Sequence, residues 1–207
     1  MTVPARFTRE QLYRHTREDL LAMFPGYFLE YPCMTGEDLR WYEETLLFLA
    51  RCCSPRPLEV LEWGSGGSTV YMTKVLIEQG VNFTWRSLES NPEWYNKIRQ
   101  RVDGQRVTLK LFDRGNIDLK LPENRQIDME DYIRWPSRQK DRYDLVIVDG
   151  RRRRRCLLEA RRLIRPNGTV ILHDAWRVYY HCACNTFAKS LFIEGTSWWK
   201  GQHYATD

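Results

Sequence analysis

The sequence lacks any run of about 18 consecutive apolar residues, which excludes a transmembrane helix. It lacks a C-x-x-C pair and any regular cysteine framework: Cys33, Cys52, Cys53, Cys156, Cys182 and Cys184 are irregularly spaced. Reduced thiols are therefore expected rather than a disulfide scaffold. His181, Cys182 and Cys184 have no second ligand pair at metal spacing, which argues against a structural zinc. The N-terminal stretch MTVPARFTREQLYRHTRE is too charged for the apolar core of a secretory leader, so a cytoplasmic, reducing location is expected. There is no internal repeat and no low-complexity linker. What is present suffices for a core. A chain of 207 residues with 43% hydrophobic content fits one domain and excludes wholesale disorder. Basic residues exceed acidic ones, 32 to 27. The five consecutive arginines Arg151, Arg152, Arg153, Arg154 and Arg155 account for the whole excess. The basicity is local, not a general affinity for polyanions.

Thr8-Arg9-Glu10-Gln11 reads as a capping box opening a helix that runs to Phe24 and stops at Pro25-Gly26. Thr35-Gly36-Glu37-Asp38 opens a second helix, ending before Pro55. Residues 1–56 thus form a helical lid or brace, and residues 57–207 form the core. From Leu58 strand and helix alternate. Strands are expected at Leu58–Trp63, Phe83–Leu88, Val107–Phe112, Tyr143–Val148 and Thr169–Leu172. Helices are expected at Ser68–Gln79, Pro92–Val102 and after Asp149-Gly150 to Arg165. The continuous run YDLVIV suits a strand buried on both faces. The tail is read as a helix across Cys182–Lys189 and two short strands, Leu191–Ile193 and Trp198–Tyr204. This alternation argues for an α/β, doubly wound, mostly parallel sheet with helices on both faces.

In such sheets ligands sit at the carboxyl ends of the strands, and three features converge there. The first is the loop Glu62-Trp63-Gly64-Ser65-Gly66-Gly67-Ser68-Thr69. Gly64 and Gly66 let backbone pass close to a ligand. Thr69 replaces the third glycine of a dinucleotide fingerprint. Glu62 opposes a pyrophosphate and suits a ligand bearing an ammonium or sulfonium charge; an ordinary glycine-rich strand–helix turn is the alternative. The second is Glu89, placed where an acid accepts from ribose hydroxyls or charges a helix start before Pro92. The third is Asp113, which either contacts an adenine amino group or caps a turn.

Glu62-x-Gly64-x-Gly66, Glu89 and Asp149 resemble the class I S-adenosylmethionine-dependent methyltransferases over Leu58 to Asp174. The resemblance implies a Rossmann-like sheet of seven strands, the last antiparallel, with S-adenosylmethionine across the strand ends and S-adenosylhomocysteine as product. More narrowly, WGSGGST, LESNPEWY, VDGR and LHDAWRVYY are similar to small sugar or glycan O-methyltransferases. Ser65, Ser68 and Thr69 join the cofactor set.

Asp149 and His173-Asp174 follow neighbouring strands, so they are expected to share one pocket. Transfer to a hydroxyl needs an aligned nucleophile and a proton acceptor. Asp149 or His173 is the candidate base, with Asp174 orienting it or the substrate. In catechol-type O-methyltransferases, which the chain also resembles here, acids at these places bind magnesium. Asp149 and Asp174 match two ligands, but Ala175 leaves the set incomplete. Arg151 and Arg152 are the candidates to meet an anionic acceptor, such as a sugar nucleotide or glycan. Trp176, Arg177 and Tyr180 form an aromatic rim with Tyr179, and packing is the role of Trp198 or Trp199 but not both. Without an Asn/Asp-Pro-Pro-Tyr/Phe motif or a separate RNA-binding domain, nucleic acid stands second as the acceptor.

Overall fold

The computed structural model describes residues 9–14, 19, 34, 36–115, 124, 126–139 and 141–202. The Thr8 cap, the first helix beyond Arg14 apart from Asp19, Pro25-Gly26, Cys33, Thr35, His203 and Tyr204 lie outside the described residues. In chain order the elements are α1 (Arg9–Arg14), α2 (Gly36–Cys53), β1 (Leu58–Trp63), α3 (Gly67–Glu78), β2 (Phe83–Glu89), α4 (Pro92–Arg99) and β3 (Val107–Leu111). Then come α5 (Glu130–Arg138), β4 (Tyr143–Val148), α6 (Arg153–Leu163), β5 (Ile164–Leu172), a 3-10 turn (Val178–Tyr180), α7 (His181–Cys184), β6 (Lys189–Phe192) and β7 (Trp199–Gln202).

The seven strands form one sheet in the order β3-β2-β1-β4-β5-β7-β6. The pairs β3–β2, β2–β1, β1–β4 and β4–β5 are parallel, and β7 runs antiparallel to both β5 and β6. Strand order reverses between β1 and β4, which opens a crevice at their carboxyl ends. Strand alternation sends Leu58 and Val60 of β1 to a layer with Leu39, Leu46, Met72 and Leu76, from α2 and α3. Leu61 and Trp63 go to the opposite layer, with Tyr132, Ile133, Leu157 and Ala160 from α5 and α6. Burying each large apolar side chain contributes about 1.5–3 kcal/mol. The base of the sheet is tied by Asp144, 3% exposed. It accepts both guanidinium nitrogens of Arg56 at 2.6 and 2.7 Å, and Arg165 at 2.9 Å. Burial pushes the Asp144 carboxyl up, but those bonds hold it below its ordinary range.

Four details depart from the sequence reading. α5 was not foreseen. Only Tyr132, Ile133 and Pro136 of it are buried, and a proline inside a charged segment hides the helical period. β5 begins at Ile164, because Pro166-Asn167-Gly168 is absorbed as a bulge with Asn167 at φ +63°. The tail helix is one turn, His181–Cys184, preceded by the 3-10 turn. Trp198 and Trp199 are both buried, at 1% and 0% exposure, one in each layer. No helix among the described residues is long and apolar enough to cross a membrane.

Candidate active site

The loop after β1 is built on contact between two glycines. Gly64 has φ +97°, and a Cβ there would stand 2.5 Å from the backbone N and Cα of Gly150. Only glycine permits both the left-handed conformation and this approach. The loop then turns into α3, where the Gly66 amide donates to Thr69 Oγ1 at 2.9 Å. Thr69 Oγ1 donates onward to Glu62 Oε2 at 2.8 Å, and the same oxygen accepts from Trp85 Nε1 at 3.0 Å and Ser87 Oγ at 2.7 Å. Glu62 is 1% exposed. Burial pushes its carboxyl up to about 7, against those three bonds.

Glu89 ends β2 on the other side of the loop. Its Oε2 accepts from the amide and hydroxyl of Ser65, each at 3.0 Å. Its Oε1 accepts from the amides of Ser90 at 2.7 Å and Asn91 at 2.9 Å. Burial outweighs these bonds and holds the Glu89 carboxyl above its ordinary value. Asn91 also caps α4 by accepting from the Trp94 amide at 2.9 Å. The Trp94 indole turns back and donates to the Ser65 carbonyl.

Above these residues lies a cavity of about 450 Å³, within the roughly 300–1,000 Å³ of small-molecule sites. Gly64, Ser65, Gly66, Ser68, Glu89, Asp149, Arg151 and His173 of the expected set line it. A Cβ on Gly66 would meet only Trp94 Nε1 at 3.7 Å and Ser68 Oγ at 3.8 Å, so it would project into the cavity.

On the far wall His173 and Asp149 meet. His173 Nδ1 lies 3.2 Å from Asp149 Oδ1. The His173 ring packs on Trp198 with centroids 4.8 Å apart. Trp198 in turn donates its indole N–H to the Asp38 carbonyl at 3.0 Å, at the start of α2. Burial pushes the imidazole down, but the bond and charge of Asp149 and the charge of Asp174 outweigh this, with Arg153 opposing, and hold it above its ordinary value.

Other expected site residues stand elsewhere. Glu62 and Thr69 lie beneath the loop and do not line the cavity; Glu62 shares the strand face of Val60 and braces the loop from below. Asp113 is exposed and accepts from the Gly115 amide at 2.8 Å, which is the turn-capping alternative. Arg152 has φ +56°, donates to the Ile127 carbonyl at 2.7 Å, and borders a second, smaller cavity. Tyr180 is a core residue, 3% exposed. Trp176 is 68% exposed. Arg177 pairs with Asp174 at 3.1 Å, and neither Trp176 nor Arg177 lines the cavity. Sequence reasoning missed Asn91, Trp94, Lys97, Gly150 and Arg153, which do. The signal for Asn91 and Trp94 was available in the Asn-Pro helix start.

The chain matches no protein-family model and no curated protein. Solved structures do match its fold. A methyltransferase-like protein from Silicibacter pomeroyi is 20% identical, with 86% of this chain and 92% of that one covered and a TM-score of 0.56. An O-methyltransferase from Bacillus cereus, in complex with S-adenosylhomocysteine, is 13% identical over 90% of each chain, with a TM-score of 0.54. Human methyltransferase-like protein 13, also in complex with S-adenosylhomocysteine, is 16% identical over 82% of this chain and 84% of that one, with a TM-score of 0.54. The chain has the class I methyltransferase fold. In this fold the cavity occupies the crevice at the strand ends, walled by the glycine loop, Glu89 and the open face of Gly66. The magnesium set does not fit. Asp149 and Asp174 are bridged by the guanidinium of Arg153, and no group of three His, Cys, Asp or Glu residues able to hold a metal occurs among the described residues.

Proposed function

We propose that the protein is an S-adenosylmethionine-dependent O-methyltransferase whose general base is His173. The observation that carries this reading is that one cavity collects the glycine loop, Glu89 and the His173–Asp149 pair. Bound there, S-adenosylmethionine supplies an electrophilic methyl group on a cationic sulfur. The Gly67 and Ser68 amides of the first turn of α3 have no partner within the helix and suit a carboxylate. Glu89 accepts from ribose hydroxyls, which take over the bond now made by Ser65 Oγ. Asp149 accepts from His173 Nδ1–H, fixing the tautomer that leaves Nε2 as acceptor. His173 Nε2 then takes the hydroxyl proton as the acceptor oxygen bonds to the methyl carbon and the carbon–sulfur bond breaks. Asp149 stabilises the imidazolium that forms.

The acceptor we favour is a hydroxyl of a sugar or glycan carrying an anionic or nucleotide group. Arg151 supports this: it is exposed at the cavity wall, whereas Arg152, Arg153 and Arg155 are engaged with protein. Trp176 and Tyr179, exposed on the segment after β5, offer aromatic faces of the kind that suit sugar C–H groups. The free thiols of Cys52, Cys53, Cys156, Cys182 and Cys184 support a reducing, cytoplasmic setting. Thermal unfolding with S-adenosylhomocysteine and with NAD tests the cofactor. The first is expected to raise Tm and the second to leave it unchanged; the reverse overturns the proposal. A screen of methyl acceptors including deoxysugar glycans then tests the acceptor class.

A further inference from the structure

Arg153 opens α6 immediately after the left-handed Arg152, and that turn brings its side chain back across the ends of β4 and β5. A guanidinium has five N–H donors, and here Arg153 makes four hydrogen bonds to protein oxygens and a further ion-pair contact. Nε donates to the Gly150 carbonyl at 3.1 Å. Nη1 donates to the His173 carbonyl at 2.6 Å and to Asp174 Oδ2 at 3.1 Å. Nη2 donates to the Asp149 carbonyl at 2.9 Å and reaches Asp149 Oδ1 at 2.8 Å. The side chain is 13% exposed. Two carboxylates and three strand-end carbonyls therefore converge on one organic cation.

We propose that Arg153 is the built-in cation of this site, holding Asp149 and Asp174 where related enzymes would use a divalent metal, so that methyl transfer here needs no metal ion. A hard divalent ion requires several oxygen ligands at roughly 2.0–2.6 Å. One carboxylate oxygen of each acid is already met by the guanidinium, whose charge repels a second cation. Arg177 adds a further positive charge on Asp174 at 3.1 Å. The two acids thus face two arginines and retain no excess negative charge to recruit a metal. Arg153 directs its hydrogen bonds to protein oxygens. It is a positioning residue: by fixing Asp149 Oδ1, which also meets His173 Nδ1, it sets the direction of the imidazole. The role in catalysis rests on the methyltransferase reading; the exclusion of metal from the acid pair does not.

Two measurements test the proposal. The first is binding of millimolar Mn²⁺ to the intact protein, followed by electron paramagnetic resonance and calorimetry in the wild type and Asp174→Asn. No bound Mn²⁺ in the wild type is expected. Wild-type binding that Asp174→Asn abolishes overturns the proposal without any appeal to activity. The second is steady-state kinetics with EDTA and with Arg153→Ala and Arg153→Lys. EDTA is expected to leave the rate unchanged. Arg153→Ala is expected to lower kcat by about 10- to 100-fold, the usual cost of losing an orienting partner, with KM nearly unchanged. Arg153→Lys is expected to restore part of the loss. EDTA-sensitive activity restored by Mg²⁺, or a raised KM at unchanged kcat in Arg153→Ala, overturns it. If S-adenosylhomocysteine fails to raise Tm, the methyltransferase reading fails, and the Mn²⁺ result still decides whether Arg153 excludes a metal.

Discussion

Replacing Glu62 by glutamine should change how stability depends on pH. Glu62 lies beneath the glycine loop, 1% exposed, with one carboxylate oxygen accepting from Thr69, Trp85 and Ser87. Burial raises its carboxyl from 4.5 to about 7. A raised folded value means that the protonated form is favoured on folding. The associated stability is fully present below the unfolded value and is lost as pH rises through about 7. At about 1.4 kcal/mol per pH unit the full loss is roughly 3 kcal/mol, of which roughly 2–3 kcal/mol falls between about pH 5 and pH 8. Glutamine cannot ionise, and the cost of seating its amide nitrogen is constant with pH. Urea unfolding of wild type and Glu62→Gln across that range isolates the effect, because other titrating groups are common to both. The wild type should lose roughly 2–3 kcal/mol relative to the variant as pH rises. A difference constant to within about 0.5 kcal/mol would refute the reasoning, since ionising a carboxyl without cost is incompatible with burial that outweighs its three hydrogen bonds.

Other outcomes follow from the site. His173→Gln should lower kcat by about 100-fold or more while keeping the Tm rise with S-adenosylhomocysteine; a loss below about tenfold, read from initial rates, removes it as base. Gly64→Ala combines left-handed strain of roughly 1–2 kcal/mol with a Cβ 2.5 Å from Gly150. It should cost more than that strain in urea unfolding and abolish the cofactor shift. Arg151→Ala should raise KM for an anionic acceptor about tenfold or more, the worth of a charge-assisted bond. Under the same assay a neutral acceptor should be unaffected.

Much of the sheet was legible because its central strands are buried on both faces. Leu58–Trp63 and Tyr143–Val148 were bounded correctly, since nothing in them competes with a strand pattern. Gly64, Glu89, Asp149 and His173 were legible as a group because each directly follows or ends a strand, and Gly66 because it lies in the short turn from β1 into α3. What escaped reading has physical causes. Five identical arginines carry no internal contrast, so the choice of Arg153 over Arg152 depends on a left-handed residue that the sequence does not mark. Glu62 was taken for a ligand contact because charge was weighed before strand parity. It shares the strand face of Val60 and so turns toward the α3 layer rather than the crevice. Tyr180 sits in an aromatic run that reads as rim, yet the 3-10 turn rotates it inward and leaves Tyr179 outside.

The packing of Trp198 against His173 couples the proposed base to α2. Trp198 is held by Asp38, whose carboxylate also accepts from the Ser197 amide at 2.6 Å and hydroxyl at 3.1 Å. The proposed base is thus walled by a residue that Asp38 ties to the start of α2. Asp38→Ala would loosen that wall while leaving the glycine loop and Glu89 in place. The rate of the chemical step would then fall while binding in the cavity survives.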